Sequence, residues 1–263
     1  MRPNLIGLAR DARSLLWRVE ALCYLGLRFR CPICGWRFRK LMPTGGVATL
    51  RAVPTDHSTR NAICPRCRSD VRHRFAFQFL LDHAAISSRP QRVLHFAPEY
   101  CISKALGRIR GLDYVMGDLN PSRFARAEAV DITNIKFEAD SFDGILCIHV
   151  LEHIRDDRRA LAEIHRVLHP GGWALIAVPI YGDATYEDPT LDGMGRQREY
   201  GAADHMRMNG LDMSEKLKDS GFDVQVACVE DETANYYDRS ERSPHTESDR
   251  YLFFCTKQRN GPR

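Results

Sequence analysis

Two cysteine pairs have the spacing of a metal site. Cys31–Cys34 encloses a Pro-Ile pair, and Cys64–Cys67 encloses a Pro-Arg pair. A C-P-x-C turn directs two thiolates at one ion, and two such turns complete the tetrahedral four-thiolate coordination typical of structural Zn²⁺. One pair alone would also fit a redox-active dithiol, but two in a basic segment predict zinc. His57 and His73 are alternative ligands, although surface and helix positions explain them better.

The number of cysteines and the length of the apolar runs indicate the cellular compartment of the protein. The chain has 263 residues and nine cysteines, an odd number that favours a reducing compartment over a disulfide scaffold. No apolar run approaches the roughly 18–20 residues that span a bilayer. The N-terminal segment lacks a small-residue cleavage site, which argues against a signal peptide. The sequence therefore predicts a soluble, cytoplasmic protein.

Charge is divided unevenly along the chain. Residues 1–92 carry a net charge of +12 and residues 93–263 a net charge of −8, within a total of +4. Such a division favours two modules with different partners. Two interpretations stay open: the basic module docks on the acidic one, or it binds RNA, an anionic substrate or the surface of an anionic membrane.

Apolar spacing predicts three regions. Apolar residues recur at helical spacing up to Leu27, so residues 1–27 are predicted to form an amphipathic helix, packed on the next module or lying at a membrane surface. Residues 28–88 are predicted to form the zinc-binding module and a following helix over 71–86. Pro90 disfavours helix at the residue before it, so residues 89–263 are predicted to form a separate domain.

From residue 92 onward, short apolar runs alternate with amphipathic segments. Strands are predicted at 92–96, 112–116, 127–131, 144–149, 173–178, 222–228 and 251–256. Helices are predicted at 102–109, 155–168 and 211–220. This alternation predicts an α/β fold with a seven-stranded, mostly parallel sheet and helices on both faces. Ligands of such sheets bind at the carboxyl ends of the strands.

The most telling segment is Asp140–Ile154, which reads D-S-F-D-G-I-L-C-I-H-V-L-E-H-I. It is followed by Glu163, R-V-L at 166–168 and P-G-G at 170–172. On these residues, positions 93–180 resemble the class I, type 11 S-adenosylmethionine-dependent methyltransferases, which have a Rossmann-like fold. The chain also resembles a little-characterised bacterial group that joins the cysteine pairs to H-F-A-P-E at 95–99, Y-E-D at 186–188 and D-H-x-R at 204–207.

The resemblance implies S-adenosyl-L-methionine as cofactor and assigns residues to its parts. Asp118, which ends the second strand, is expected to accept hydrogen bonds from both ribose hydroxyls, with Leu119 beside the sugar. Asp131 matches the residue that accepts from the adenine amino group, and the Ile132 backbone is expected to reach a ring nitrogen. His149 matches a position that lines the methionine end of the cofactor.

The first loop departs from the family. Methyltransferases usually have an acid-x-Gly-x-Gly run, whereas this chain has His95, Phe96, Ala97, Pro98 and Glu99. Ala97 preserves close approach of the backbone, while Pro98 removes a donor. Glu99 offers a carboxylate for the ammonium group of the cofactor. We interpret the segment as a variant cofactor loop.

The acceptor site is expected in the residues that follow the fifth strand. His205 beside Asp204 is the predicted general base, because an imidazole titrates near neutral pH. Arg207 is predicted to bind an anionic group, and Tyr186 is a further candidate for catalysis. His153, in the turn after the fourth strand, is interpreted as a structural bridge.

These observations predict a zinc-bearing, S-adenosylmethionine-dependent methyltransferase. A small-molecule or saccharide acceptor is favoured, because the sequence has no RNA-modification motif of the N-P-P-Y type. One alternative is an RNA methyltransferase whose basic zinc module holds phosphates. The other is a non-catalytic adaptor that retains the fold and uses zinc to bind a partner, which the degenerate first loop would suit.

Overall fold

The computed structural model describes residues 16–43, 62–124, 126–229 and 247–259. Strands β1 to β9 cover Leu25–Arg30, Arg37–Phe38, Gln91–Phe96, Leu112–Asp118, Glu128–Ala129, Phe142–Ile148, Leu168–Ala177, Phe222–Cys228 and Tyr251–Lys257. Helices α1 to α5 cover Val71–His83, Tyr100–Leu106, Asp157–Val167, Gly193–Glu199 and Met213–Asp219, and residues 16–22 are also helical. Within these ranges no helix has the length and apolarity needed to cross a membrane.

Seven strands form the large sheet, in the order β5-β4-β3-β6-β7-β9-β8. Strands β3 to β7 pair in parallel, and β9 runs antiparallel to both β7 and β8. The predicted Rossmann-like, mostly parallel sheet is therefore confirmed. The strand order reverses on either side of β3, and ligands of open α/β sheets bind at such a switch point, outside the carboxyl ends of the strands.

Both faces of the sheet are covered, because its strands are apolar on consecutive residues. Leu94 and Ile145 face one core together with α3 and α5, whereas Val93 and Leu146 face a second core together with α1 and α2. Side chains alternate between faces along a strand, so near-continuous apolar runs imply burial on both sides. The central strands β3, β6 and β7 are accordingly buried almost throughout.

Helix α1 belongs to the layer that covers the sheet. Phe75, Phe79 and Leu80 lie in the same buried cluster as Val93 and Leu175 of the sheet. The predicted boundary after residue 88 therefore does not separate two packing units, since α1 is part of the α/β core. Asp70 caps α1, and the His73 side chain accepts a hydrogen bond from the Asp70 N–H, which makes a capping box at the sheet edge.

The segment before α1 folds around the cysteines. Strand β1 pairs antiparallel with β2, and Phe29, Phe38 and Leu41 form a small buried cluster with the four cysteines. Residues 1–15 of the predicted N-terminal helix, and residues 44–61 between the cysteine pairs, lie outside the described residues. The prediction of helix through Leu27 is wrong, because residues 25–27 belong to β1, where pairing with β2 overrides their helical spacing.

Candidate cofactor, acceptor and metal sites

The four sulfurs of the cysteine pairs converge on one point. The Sγ atoms of Cys31 and Cys67 lie 3.6 Å apart, those of Cys34 and Cys64 lie 3.8 Å apart, and all four lie within 4.8 Å of one another. Tetrahedral zinc with Zn–S bonds of about 2.3 Å requires sulfur separations of about 3.8 Å. The donor set and its spacing therefore fit one Zn²⁺.

The two cysteine turns have the same backbone geometry. The Gly35 N–H donates to the Cys31 carbonyl, and the Arg68 N–H donates to the Cys64 carbonyl. Gly35 and Arg68 both have positive φ, 73° and 59°, which closes each turn one residue after its second cysteine. Glycine adopts this conformation without strain. At Arg68 the side chain forms an ion pair with Glu20, which ties the turn to the preceding helix.

Asp118 presents an unpaired oxygen at the carboxyl end of β4. Its side chain is buried, and Oδ1 accepts from the Asn120 N–H at 2.7 Å. Oδ2 is buried and has no hydrogen-bond partner among the described residues. A buried carboxylate oxygen without a donor is costly, and the ribose hydroxyls of S-adenosylmethionine would supply donors. Leu119 follows with a side chain that is 71% exposed, as expected of a residue beside the sugar.

The ends of the two central strands, β3 and β6, have a backbone conformation that residues with a side chain rarely adopt. Ala97 after β3 and His149 after β6 both have positive φ, 43° and 52°. Residues with a Cβ rarely adopt this conformation, and such outliers cluster at functional sites. Ala97 is exposed, and its N–H donates to the Gly117 carbonyl at 2.8 Å. Ala97 thus makes the tight turn that glycine makes in related loops.

Buried His95 pairs with the partly buried Glu99 of the first loop. The His95 Nε2 lies 2.9 Å from the Glu99 carboxylate, and Nδ1 lies 2.8 Å from the Tyr114 hydroxyl. Burial alone would raise the pKa of Glu99, but the hydrogen bond and charge of His95 bring that pKa below its ordinary value. Glu99 is therefore ionised and oriented, as its predicted contact with an ammonium group requires.

Three predicted loop contacts need correction. The side chains of His95, Phe96 and Pro98 are buried, so a side-chain contact with the cofactor is not supported and only their backbone is left for it. His95 acts on Glu99 instead, and Phe96 packs in the apolar core. Sequence spacing placed these residues at the loop but did not show which way each side chain points.

The predicted adenine contacts lie in a turn after β5. The Asp131 Oδ1 accepts from both the N–H and the hydroxyl of Thr133 at 2.8 Å, while the residue remains exposed. One oxygen thus closes an Asx turn, and Oδ2 is the atom available for an adenine amino group. Ile132 is buried in the core, so only its backbone suits the ring nitrogen.

His149 bridges two carboxylates at the end of β6. Its Nδ1 lies 3.2 Å from the Glu152 Oε1, and its Nε2 lies 3.4 Å from the Asp249 Oδ1. Its N–H donates to the Ala177 carbonyl at 2.8 Å, which fixes the start of the loop. The ring is partly exposed and so lies at the edge predicted for the methionine end of the cofactor.

The predicted general base His205 and the neighbouring Asp204 are arranged differently from the expectation. Asp204 lies 3.3 Å from the His153 Nδ1, and the rings of His153 and His205 pack edge to face at 4.9 Å. Burial lowers the pKa of His205, so the imidazole is neutral at pH 7. Glu152, which sequence reasoning left without a role, lies beside both histidines. The H-x-x-E-H spacing from His149 was the signal for it.

Arg207 is a structural residue, and the prediction that it binds an anionic group is wrong. The side chain is 1% exposed and donates to the Glu187 carboxylate at 2.8 Å. Its remaining N–H groups donate to the carbonyls of Leu151, Ile154 and Arg155. No donor is left for an acceptor molecule, because the guanidinium holds the turn that carries Glu152 and His153.

Tyr186 keeps a place at the surface of this region. It is 44% exposed, packs edge to face against Tyr200 at 5.8 Å and pairs through its backbone with Met208. An exposed ring next to the 204–208 segment suits contact with an acceptor. Tyr186 is thus linked to the 204–208 segment through Met208, whereas the Arg207 side chain is buried.

Comparisons with known proteins agree with this geometry. The sequence model of a family described as "Methyltransferase domain" matches residues 98–176. A probable S-adenosylmethionine-dependent methyltransferase of Mycolicibacterium smegmatis is 28% identical over 129 residues, 47% of each chain. An uncharacterized 37.1 kDa protein in transposon TN4556 of Streptomyces fradiae is 29% identical over 128 residues, 45% of this chain and 37% of its own. The chain thus spans less than half the length of both relatives.

The fold has a counterpart among solved structures. The YcgJ protein of Bacillus subtilis superposes with a TM-score of 0.50 at 16% identity, covering 70% of this chain and 99% of that one. This likeness concerns the fold, whereas the family match and the Mycolicibacterium relative concern the sequence. Residues 98–176 thus match a methyltransferase domain, and they lie in a Rossmann-like seven-stranded sheet.

Proposed function

We propose that the protein transfers the methyl group of S-adenosylmethionine to a small-molecule or saccharide acceptor. The observation that carries the proposal is the unpaired Oδ2 of Asp118, buried at the carboxyl end of β4. Ionised Glu99 lies on the adjacent strand-to-helix turn. A carboxylate for the ribose and another for the ammonium group are what this cofactor requires.

The acceptor lies, on this proposal, against the 204–208 segment. S-adenosylmethionine supplies a methyl group on a sulfonium, so the protein chiefly aligns the acceptor and excludes water. The Met206 N–H donates to the Glu152 carbonyl at 2.7 Å, which holds the segment against the end of β6. His205 in this segment presents a neutral imidazole toward the acceptor, and the exposed Tyr186 pairs through its backbone with Met208 of the same segment.

Zinc has, on this proposal, a structural and not a catalytic role. Four thiolates complete the coordination shell, which leaves no open position for chemistry. The four-cysteine cluster precedes α1 and lies against α2, since Ile33 and Cys67 pack on the core that contains both helices. Zinc would thereby stabilise the layer of the fold nearest the first loop.

Binding measured by calorimetry with S-adenosylhomocysteine tests the cofactor site. Asp118→Asn keeps the acceptor for the Asn120 N–H but replaces Oδ2 with a donor. Affinity is expected to fall by roughly 10- to 100-fold, about 1–3 kcal/mol, since two ribose hydroxyls lose their acceptor. Asp113→Asn is the matched control, because Asp113 lies exposed on the same strand and pairs with Arg92. Equal affinity in both variants would contradict the assignment.

One observation favours a second candidate, an RNA acceptor. A cavity between the four-cysteine cluster and α2 is lined by Arg66, Lys104 and Arg108 together with Trp17 and Tyr100. Cations interleaved with aromatic rings suit phosphates and stacked bases. A steep fall of RNA affinity with salt, reduced by Arg66→Gln, would support this acceptor. Salt-independent or undetectable RNA binding would contradict the RNA acceptor and favour the small-molecule acceptor.

A further inference from the structure

Glu152, His153 and His205 form a second group of metal-ligating side chains, separate from the cysteines. Each offers one ligand atom, and these atoms lie within 4.8 Å of one another. Glu152 and His153 sit in the turn after β6, and His205 comes from the 204–208 segment. Two imidazoles and one carboxylate are a ligand set that binds Zn²⁺, Fe²⁺ and related divalent metals while leaving coordination positions open.

The buried carboxylate of Glu152 is the strongest single indication of a metal site. The residue is 1% exposed, and its Oε1 lies 3.2 Å from the His149 Nδ1. The Oε2 atom has no hydrogen-bond partner in the described parts of the chain. Burying a carboxylate is costly unless it is paired or coordinates a metal. His149 also contacts Asp249, at 3.4 Å, so its contact with Glu152 is not exclusive.

The histidines are held in the manner of metal ligands. The His153 Nδ1 lies 3.3 Å from Asp204, which leaves Nε2 for an ion. Metal-binding histidines commonly donate their other ring nitrogen to a carboxylate, which fixes the tautomer and the ring orientation. The His205 ring packs edge to face against His153, and Arg207 fixes the Glu152–His153 turn through three backbone carbonyls. The cluster is therefore preorganised.

We propose that Glu152, His153 and His205 bind one divalent transition-metal ion whose open positions take an oxygen of the acceptor. The metal-binding part stands independently, whereas the role in acceptor binding rests on the proposed function. A metal-bound hydroxyl loses its proton more readily. The proton passes to water, the resulting oxyanion forms a bond to the methyl carbon, and the carbon–sulfur bond breaks with its electron pair retained by sulfur. The products are the methyl ether and S-adenosylhomocysteine.

This arrangement also accounts for why Asp204 contacts His153 and not His205. A carboxylate at the second ring nitrogen orients a metal-binding histidine, and Asp204 takes that place beside His153. His205 then binds the ion as a neutral imidazole and does not itself receive the proton. The acceptor class narrows to molecules that present a hydroxyl or a pair of neighbouring oxygens to the ion.

Cobalt titration of the full-length, chelator-stripped protein tests the site. Wild type is expected to bind about two equivalents of Co²⁺, one with the intense absorption of a thiolate site and one with the weak visible bands of nitrogen and oxygen ligands. His205→Ala, at a partly exposed loop position, should retain the intense bands and lose the weak ones. His169→Ala is the matched control, because His169 is exposed at the amino end of β7, and should bind two equivalents.

The number of bound Co²⁺ equivalents and the weak visible bands together test the metal site. A single equivalent in wild type, or two equivalents in His205→Ala with unchanged weak bands, would overturn the metal site. If His205→Ala proves unfolded by circular dichroism, His205→Gln and His153→Gln replace it in the same titration. Binding of S-adenosylhomocysteine is measured in parallel. If S-adenosylhomocysteine binds to a protein without the second metal, this inference is overturned alone. If a two-metal protein does not bind it, the proposed function and the acceptor role that rests on it are overturned, and the metal site stands.

Discussion

The Arg72 guanidinium lies 3.1 Å from the Oδ2 of Asp249, whose Oδ1 lies 3.4 Å from the His149 Nε2. The three residues come from the start of α1, the segment before β9 and the end of β6. A chain of charges therefore joins the helix that follows the cysteine cluster to the edge where we propose that the cofactor binds. Because α1 also packs on the sheet, the two halves of the chain form a continuous structure at this edge.

Arg72→Gln is expected to weaken cofactor binding with little effect on folding. Loss of the charged donor weakens the hold on Asp249 and, through it, on the orientation of His149, so affinity for S-adenosylhomocysteine should fall by roughly 3- to 10-fold, about 1 kcal/mol. Arg89→Gln is the control, since Arg89 forms an exposed pair with Asp143 at the other end of β3. Calorimetry that gives the same affinity for both variants would contradict the coupling.

The histidine next to Arg72 should make stability depend on pH. Burial lowers the pKa of His73 to about 4, against an ordinary value of 6.5, with the charges of Glu99, Arg72, Asp70 and His149 acting on it as well. Between these values the unfolded chain binds a proton that the folded chain does not. This contribution to stability is therefore complete above pH 6.5 and decreases as the pH falls toward 4.

The change His73→Gln removes this titration and keeps an acceptor for the Asp70 N–H, since Gln suits the same capping position. Wild type is expected to lose about 2 kcal/mol more unfolding free energy than the variant between pH 7.5 and pH 5. Urea unfolding at the two pH values measures the difference. Parallel losses in the two proteins would show that other groups control the acid sensitivity.

Much of the fold followed from patterns that are local in sequence. The prediction of strand over 222–228 is confirmed residue for residue, because Phe222, Val224 and Val226 alternate with other residues after Gly221, which is the period of a strand. The N-terminal helix failed at Leu25–Leu27 because their periodicity carries no information about pairing with Arg37–Phe38. Helix α4 was missed since its sequence, G-M-G-R-Q-R-E, has two glycines and almost no apolar spacing.

The sequence predicted where the candidate site residues lie in the fold but not which contacts their side chains make. Asp118 and His149 were placed at strand ends by the motif, and strand ends meet at one edge by topology alone. The pairing of Asp204 with His153 joins segments 51 positions apart and depends on how the 204–208 loop returns to β6. The burial of Arg207 likewise follows from carbonyls that only the folded turn brings together.

Removal of the structural metal should loosen the chain. Cys67→Ser is expected to abolish one equivalent of bound zinc and to lower the melting temperature by about 10 °C, because a loss of several kcal/mol shifts the midpoint by roughly 2–4 °C per kcal/mol in a chain of this size. Cys228→Ser, a half-buried cysteine of β8, is the control. Elemental analysis and thermal unfolding test the pair, and unchanged zinc in Cys67→Ser would refute the ligand assignment.

Arg207 fixes the turn that carries the proposed second metal site. Besides the Glu187 carboxylate and three carbonyls, its guanidinium lies 3.4 Å from Asp157, which Lys216 also contacts at 2.6 Å. A lysine has three donors on one atom and cannot reach these partners in the planar geometry of a guanidinium. Arg207 should therefore be irreplaceable for the local structure, even though it contacts no acceptor.

Arg207→Lys is expected to lower the unfolding free energy by about 3 kcal/mol, since it leaves buried carbonyls and carboxylates without donors. Lys218→Arg, in an exposed pair with Glu215, should change it by less than about 0.5 kcal/mol. The variant should keep most of its affinity for S-adenosylhomocysteine, because Asp118 at the end of β4 and Glu99 in the turn after β3 lie outside the turn that Arg207 holds, but it should bind the second equivalent of Co²⁺ more weakly. Methyl transfer that falls while stability and cobalt binding stay at wild-type values would instead return Arg207 to the acceptor site.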